Sequence, residues 1–186
     1  MTNKVLCQNE FILKGYLKGL GTGKKVYLGN KPKGIGPTFI PIFFDSVYSV
    51  KDSFYFKKHK FNYVTDYSVE TELDNGWQSF LIDKGNILIS GHADTIYRSK
   101  VIGSANETLY KKFTKEIYKP WDSEYFAMMK RLPGRKDIDS SAYKKINDSM
   151  IALTLAHRNR IYNFYKENVK QRPYVALEPY VWLQSK

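Results

Sequence analysis

Between Tyr67 and Ser90 the sequence alternates with a period of two and supplies its own turns. In YSVETEL, Tyr67, Val69, Thr71 and Leu73 fall on one face and Ser68, Glu70 and Glu72 on the other. Successive side chains of a strand point to opposite faces, so this is the pattern of a half-buried strand. Asn75-Gly76 follows, and both residue types accept the positive φ that a two-residue type I′ hairpin requires. WQSFLI returns, DKGN turns again and ILIS adds a third strand, which together predict a β-meander over 67–90.

The residues before the meander also read as strands. EFILKGYL is one, VYLGN another, and the glycine-rich KGLGTGKK between them is a turn. TFIPIFF is a further strand, with Pro41 placing it at an edge or a bulge because proline cannot donate to a ladder. Asp45 to Phe61 fits either two short strands or a helix begun by Asp45 or Ser46.

The character of the chain changes near Gly103. Asn106 can cap a helix over ETLYKKFTKEIY, with Leu109, Phe113 and Ile117 four apart and Pro120 as its stop. Asp122 can cap SEYFAMMKRL, stopped by Pro133-Gly134. The longest helix is predicted from about Ser141 to Asn168, where Tyr143, Ile146, Met150, Leu153, His157, Ile161 and Phe164 form one stripe at steps of three and four. YVALEPYVWL reads as a last strand. The expected fold is α+β: an antiparallel sheet from the N-terminal strands and the meander 67–90, packed against a C-terminal helical layer. Residues 1–103 form the β-rich part and 104–186 the helical part with its C-terminal strand, in one compact domain.

Charge narrows the choice of partners. Thirty Lys and Arg face 18 Asp and Glu, a net +12 over 186 residues. The excess is +7 in residues 1–66, −2 in 67–103 and +7 in 104–186. A field of one sign steers and holds polyanions, so an acidic partner is expected, either nucleic acid or an acidic protein surface. No run reaches the roughly 18 apolar residues of a membrane span. The N-terminal residues lack a basic start followed by an apolar core, and the single cysteine, Cys7, excludes an intramolecular disulfide. A cytoplasmic location is expected, the host cytoplasm if the chain is viral. In style of composition the chain is similar to small accessory proteins of bacteriophages or AT-rich bacteria.

Three groups of residues are candidates for function. The basic glycine-rich stretch contributes Lys18, Lys24, Lys25, Lys31 and Lys33. It is not a nucleotide-binding loop, because G-x-x-x-x-G-K-[ST] aligned on Gly23-Lys24 puts Lys18 at the first glycine and Lys25 at the hydroxyl position. Its lysines can instead hold a nucleic-acid backbone without reading bases. The long helix and the loop before it contribute Arg135, Lys136, Lys144, Lys145, Arg158, Arg160 and Lys166, with Tyr162 and Tyr165 interleaved and Lys170 and Arg172 beyond. Cations beside aromatic rings suit backbone pairing with base stacking.

The third candidate is ISGHADTIYRSK, where His92 and Asp94 share a face if the strand runs through them. An imidazole and a carboxylate so placed can share a metal or act as an acid–base pair. The string resembles the G-x-x-D strand of metal-dependent nucleases of the restriction-endonuclease type. That resemblance implies Mg²⁺ bound at Asp94, but the D/E-x-K strand that follows in such nucleases has no counterpart in VIGSANETLYKKF. The leading expectation is therefore a non-enzymatic binding protein without cofactor. A metal-dependent phosphodiesterase using His92 and Asp94, and an assembly subunit that buries its aromatics against a homo-oligomeric or hetero-complex partner, are the alternatives. No Cys/His clustering of the kind that holds zinc is present, and no metal site is assigned.

Overall fold

The computed structural model describes residues 9–30, 42–62, 64–130 and 140–184. The chain divides into two compact units, residues 1–108 and 109–186. Among the described residues the first holds eight strands and the second most of the helix, so the α+β class holds.

The strands are β1 (Asn9–Lys18), β2 (Lys25–Asn30), β3 (Ile42–Tyr48), β4 (Ser53–Phe61), β5 (Asp66–Thr71), β6 (Trp77–Leu81), β7 (Gly85–His92) and β8 (Lys100–Ile102). They form two four-stranded sheets and not one. The first has the order β4-β1-β7-β8 and the second β3-β2-β5-β6. All pairings are antiparallel except β1 with β7, where Phe11 stands opposite Gly85 and Lys18 opposite His92.

One apolar core draws on both sheets. Phe11, Leu13 and Leu17 of β1, Phe54 and Phe56 of β4 and Ile87 and Ile89 of β7 meet Val26, Leu28, Tyr67, Val69 and Phe80 of the second sheet. Alternation dictates this: in β1, Phe11, Leu13, Gly15 and Leu17 point inward and Lys14, Tyr16 and Lys18 outward. Gly15 sits beneath Phe54, and a Cβ there would fall within that ring.

The predicted meander is corrected in two places. β5 and β6 pair as expected, but β7 leaves them and joins β1 in the other sheet. Alternation specifies which face is buried and not which strand is the neighbour. The turn between β5 and β6 is also wider than Asn75-Gly76, since positive φ falls on Asp74 and Gly76. The two-residue turn with both φ positive lies at Lys51-Asp52 (48° and 66°). There Val50 and Ser53 exchange both backbone hydrogen bonds, which makes Asp45 to Phe61 two strands and not a helix.

The helices are α1 (Ala105–Phe113), α2 (Lys119–Met129), α3 (Ser140–Asn168) and α4 (Pro173–Gln184). The cap of α1 is Ser104 and not Asn106. The Glu107 amide donates to Ser104 Oγ at 3.0 Å, while Asn106 Nδ2 donates to the Ile82 carbonyl at 2.9 Å. Asp83 accepts from the amides of Ala105 and Asn106, so the orphan donors of this helix start are taken.

Pro120 does not end the helix. A π turn, Thr114–Tyr118, joins α1 to α2, and the Lys119 amide reaches the Thr114 carbonyl five residues back. Pro120 follows that π turn, at the start of α2. The predicted stop at Pro133-Gly134 lies outside the described residues.

The predicted C-terminal strand is a helix, α4. Its apolar run is too continuous to show either period, and Pro173 at its start has the φ of a first helical residue. The stripe of α3 is buried at His157, Ile161 and Phe164, half-buried at Ile146, Met150 and Leu153, and exposed at Tyr143. Phe113, Ile161 and Phe164, with Leu109 and Ile117, make the core of this unit.

Candidate nucleic-acid interface

The outer face of the first sheet gathers cations and aromatic rings in register. One cross-strand row is Tyr55–Lys14–Leu88–Ile102, and the next is Ser53–Tyr16–Ser90–Lys100. Lys18 and His92 continue the face where β1 and β7 end. Tyr16 and Tyr55 are each 47% exposed, so their rings are available to a ligand. They are diagonal neighbours, a relation that places Cβ atoms about 7 Å apart, within reach of one another's large side chains. Lys14 Nζ lies over the Tyr55 ring at 5.9 Å.

The β4 edge adds Lys57, Lys58 and Lys60, all exposed. Glu10 is the sole carboxylate on these four strands, and Lys58 holds it at 2.9 Å. The hydrogen bond between them lowers the carboxyl pKa below its usual range and raises that of the ammonium. Lysine on an exposed edge strand discourages edge-to-edge pairing, which accounts for the β4 residues. It does not account for Lys14 and Lys18, which sit on an interior strand with a neighbour on either side.

The second sheet has the opposite balance. Its strands carry Asp45, Asp66 and Glu70 against Lys25 alone. Asp45 contacts His59 Nε2 at 2.9 Å, and partial burial, then Asp74, raises the pKa of Glu70.

The residues expected from sequence are placed as follows. Lys18 lies on the outer face of the first sheet. Lys24 is bound to Glu72 at 3.2 Å, and Lys25 gives its amide to the same carboxylate and its ammonium to the Tyr27 ring. Those contacts hold the Glu72 carboxyl below its usual pKa, the Lys25 amide contributing most. The amides of the glycine loop are likewise committed. Gly21 donates to Asp52 Oδ1, Gly23 to the Ser49 carbonyl and Lys24 to Ser49 Oγ. The loop is sewn to the turn at 49–52, so these three amides do not face a phosphate. Lys31, Lys33, Arg135 and Lys136 lie outside the described residues.

On α3, Lys144, Lys145, Arg158, Arg160 and Lys166 are all exposed, and Lys166 Nζ lies 4.9 Å over the half-exposed Tyr162 ring. At about 100° per residue, Lys144, Arg158, Tyr162 and Lys166 share a stripe, but Arg160 lies about 160° from Lys144. Asp148, Ile151 and Leu155 interrupt that stripe, and Lys144 and Arg158 are about 21 Å apart along the axis. Tyr165 stacks on Tyr180 at 4.5 Å and packs within the unit. The helix therefore disperses its cations, whereas the first sheet concentrates them.

His92 and Asp94 do not share a strand face. β7 ends at His92, and Asp94 belongs to a short 3-10 helix, Ala93–Arg98. Ile96 must turn inward to cover the core, which ends the alternation that would have aligned the two. Among the described residues, no group of three or more His, Cys, Asp or Glu side chains is placed to hold a metal ion. No helix among them is long and apolar enough to cross a membrane.

The residues that sequence reasoning missed are Lys14, Tyr16, Tyr55 and Lys100. The parity of EFILKGYLK already put Lys14, Tyr16 and Lys18 on one face. What it lacked was the pairing that brings Tyr55 and Lys100 beside them. No family model matches this chain, and none of the curated proteins matches it.

Proposed function

We propose that this is a non-enzymatic binding protein that holds single-stranded nucleic acid on the outer face of its first sheet. The observation that supports it is Tyr16 and Tyr55, half exposed, set among Lys14, Lys18 and Lys100 on adjacent paired strands. Lysines there pair with phosphates and release counterions, while the rings take bases by stacking, worth about 1–3 kcal/mol per base. Every base has a π face, so such a surface binds without strong sequence preference.

A duplex hides its base faces and offers only grooves and backbone. A sheet face with exposed tyrosines suits the open strand better. An acidic protein would use the lysines but leaves the rings without a specific role. The test is an amide-shift map of the protein titrated with a mixed-sequence single-stranded oligonucleotide at low salt. Shifts confined to β1, β4, β7 and β8 are expected. Shifts centred on α3, or none, would reject the reading.

A further inference from the structure

The helical unit contains a cavity of about 330 Å³ whose walls are the rings of Tyr110, Phe113 and Tyr118, the aliphatic Ile161 and Pro179, and the polar Thr114 and His157. Two departures from regular helix border it. Thr114 and Tyr118 are the first and last residues of the π turn. Turns of this kind are rare and recur at functional sites. Pro179 lies inside α4, where it removes one backbone hydrogen bond from the helix.

His157 is the third irregularity. It is 2% exposed, and neither ring nitrogen has a hydrogen-bond partner among the described residues. One face of its imidazole stacks on Trp121 at 4.5 Å and 14°. Burial, and secondarily Arg160, lower its pKa to about 4, so at neutral pH the ring is uncharged and carries one donor and one acceptor. Buried polar groups in native proteins are ordinarily satisfied, so an imidazole left with both nitrogens idle beside a void requires an explanation.

The lining specifies the chemistry of an occupant. Among the described residues no lining side chain is charged, so a charged ligand would lose its hydration without compensation from them. Three aromatic walls favour a flat, apolar body. The volume lies at the small end of the range for ligand pockets, which limits the body to one or two fused rings. We infer that this cavity binds a small uncharged aromatic heterocycle, with its body between the aromatic walls and its polar edge hydrogen-bonded to His157. This site is built wholly from residues of the second unit.

The test uses benzimidazole, which is uncharged at neutral pH and has a donor and an acceptor on one edge. Indene has the same shape and neither group. The isotope-labelled full-length chain is titrated with each, following the ring nitrogens of His157 and the methyl groups of Thr114 and Ile161. Saturable shifts at all three residues are expected, with benzimidazole at least about tenfold tighter than indene, the value of one hydrogen bond to an otherwise unpaired group. His157→Phe should abolish that preference and leave indene binding. Equal affinity for the two probes, or no saturable shift at these residues, overturns the proposal. So does a preference that survives in a folded His157→Phe protein. Should that variant not fold, the wild-type comparison decides alone.

Discussion

The two sheets of the β unit share one core and the same alternation, yet their charge is opposite. The first carries Lys14, Lys18, Lys57, Lys58, Lys60 and Lys100 against Glu10, and the second Lys25 against Asp45, Asp66 and Glu70. Their inward residues are interchangeable in kind, since Leu13 and Phe56 do for one sheet what Leu28 and Phe80 do for the other. The difference lies in the outward parity, which packing leaves exposed in the first sheet at Lys14, Tyr16, Lys18, Tyr55 and Lys100. Outward residues are free to answer to a partner, and a face of one sign with exposed rings answers to a polyanion with flat groups.

The largest effect is expected from reversing that face. Lys14→Glu, Lys18→Glu and Lys100→Glu together should weaken single-strand binding by about a hundredfold or more at low salt. They should also flatten the salt dependence by about 2 log units of affinity per log unit of salt, at about 0.7 per lost contact. Fluorescence anisotropy across a salt series measures both. Next come the rings. Tyr16→Ala and Tyr55→Ala should each cost about tenfold on a single strand, from the stacking energy of one base. Binding to duplex should change less than about threefold, and an equal loss on both would reduce the tyrosines to packing.

A smaller effect separates the β unit from the helical one. His157 is held near pKa 4 in the folded chain against 6.5 when free. Below pH 6.5 the unfolded chain therefore takes up a proton that the folded chain does not. Stability should fall as pH drops from about 6.5 to about 4 and level off below. Thermal melts across that window should show the fall in wild type and lose most of it in His157→Phe.

The smallest effect is expected on α3. Lys144→Glu, Arg158→Glu and Lys166→Glu change the net charge as much as the sheet triple does. They should weaken binding by less than about tenfold, because Lys144 stands about 21 Å along the helix from Arg158 and the three do not act together on one short strand. A loss matching that of the sheet triple would mean that net charge and not the sheet face governs binding.

Much of this was legible in the sequence, for a physical reason. The strands of the β unit and the long helix follow from local periodicity, which burial enforces residue by residue. The partition into two sheets does not, because pairing β7 with β1 instead of β6 is a long-range choice that alternation leaves open. α4 was illegible as a helix because YVALEPYVWL is apolar but for Glu178, and Pro179 argues against any regular element. The same gap hid the candidate interface. Lys18 could be singled out from its neighbours in sequence, but Tyr55 and Lys100 join Lys14 only through pairing across four strands. The glycine loop shows the same gap, since nothing local in its sequence announces that Asp52 and Ser49 accept the amides of Gly21, Gly23 and Lys24.

The central claim is that one sheet face, and not overall charge, holds the nucleic acid. The most direct measurement is the affinity of a labelled single-stranded oligonucleotide for wild type and for the two triple charge reversals, in the same buffer over the same salt series. The account predicts that the sheet triple loses about a hundredfold and its salt slope flattens, while the α3 triple stays within about tenfold of wild type. Equal losses in the two triples, or no binding by wild type at low salt, would contradict it.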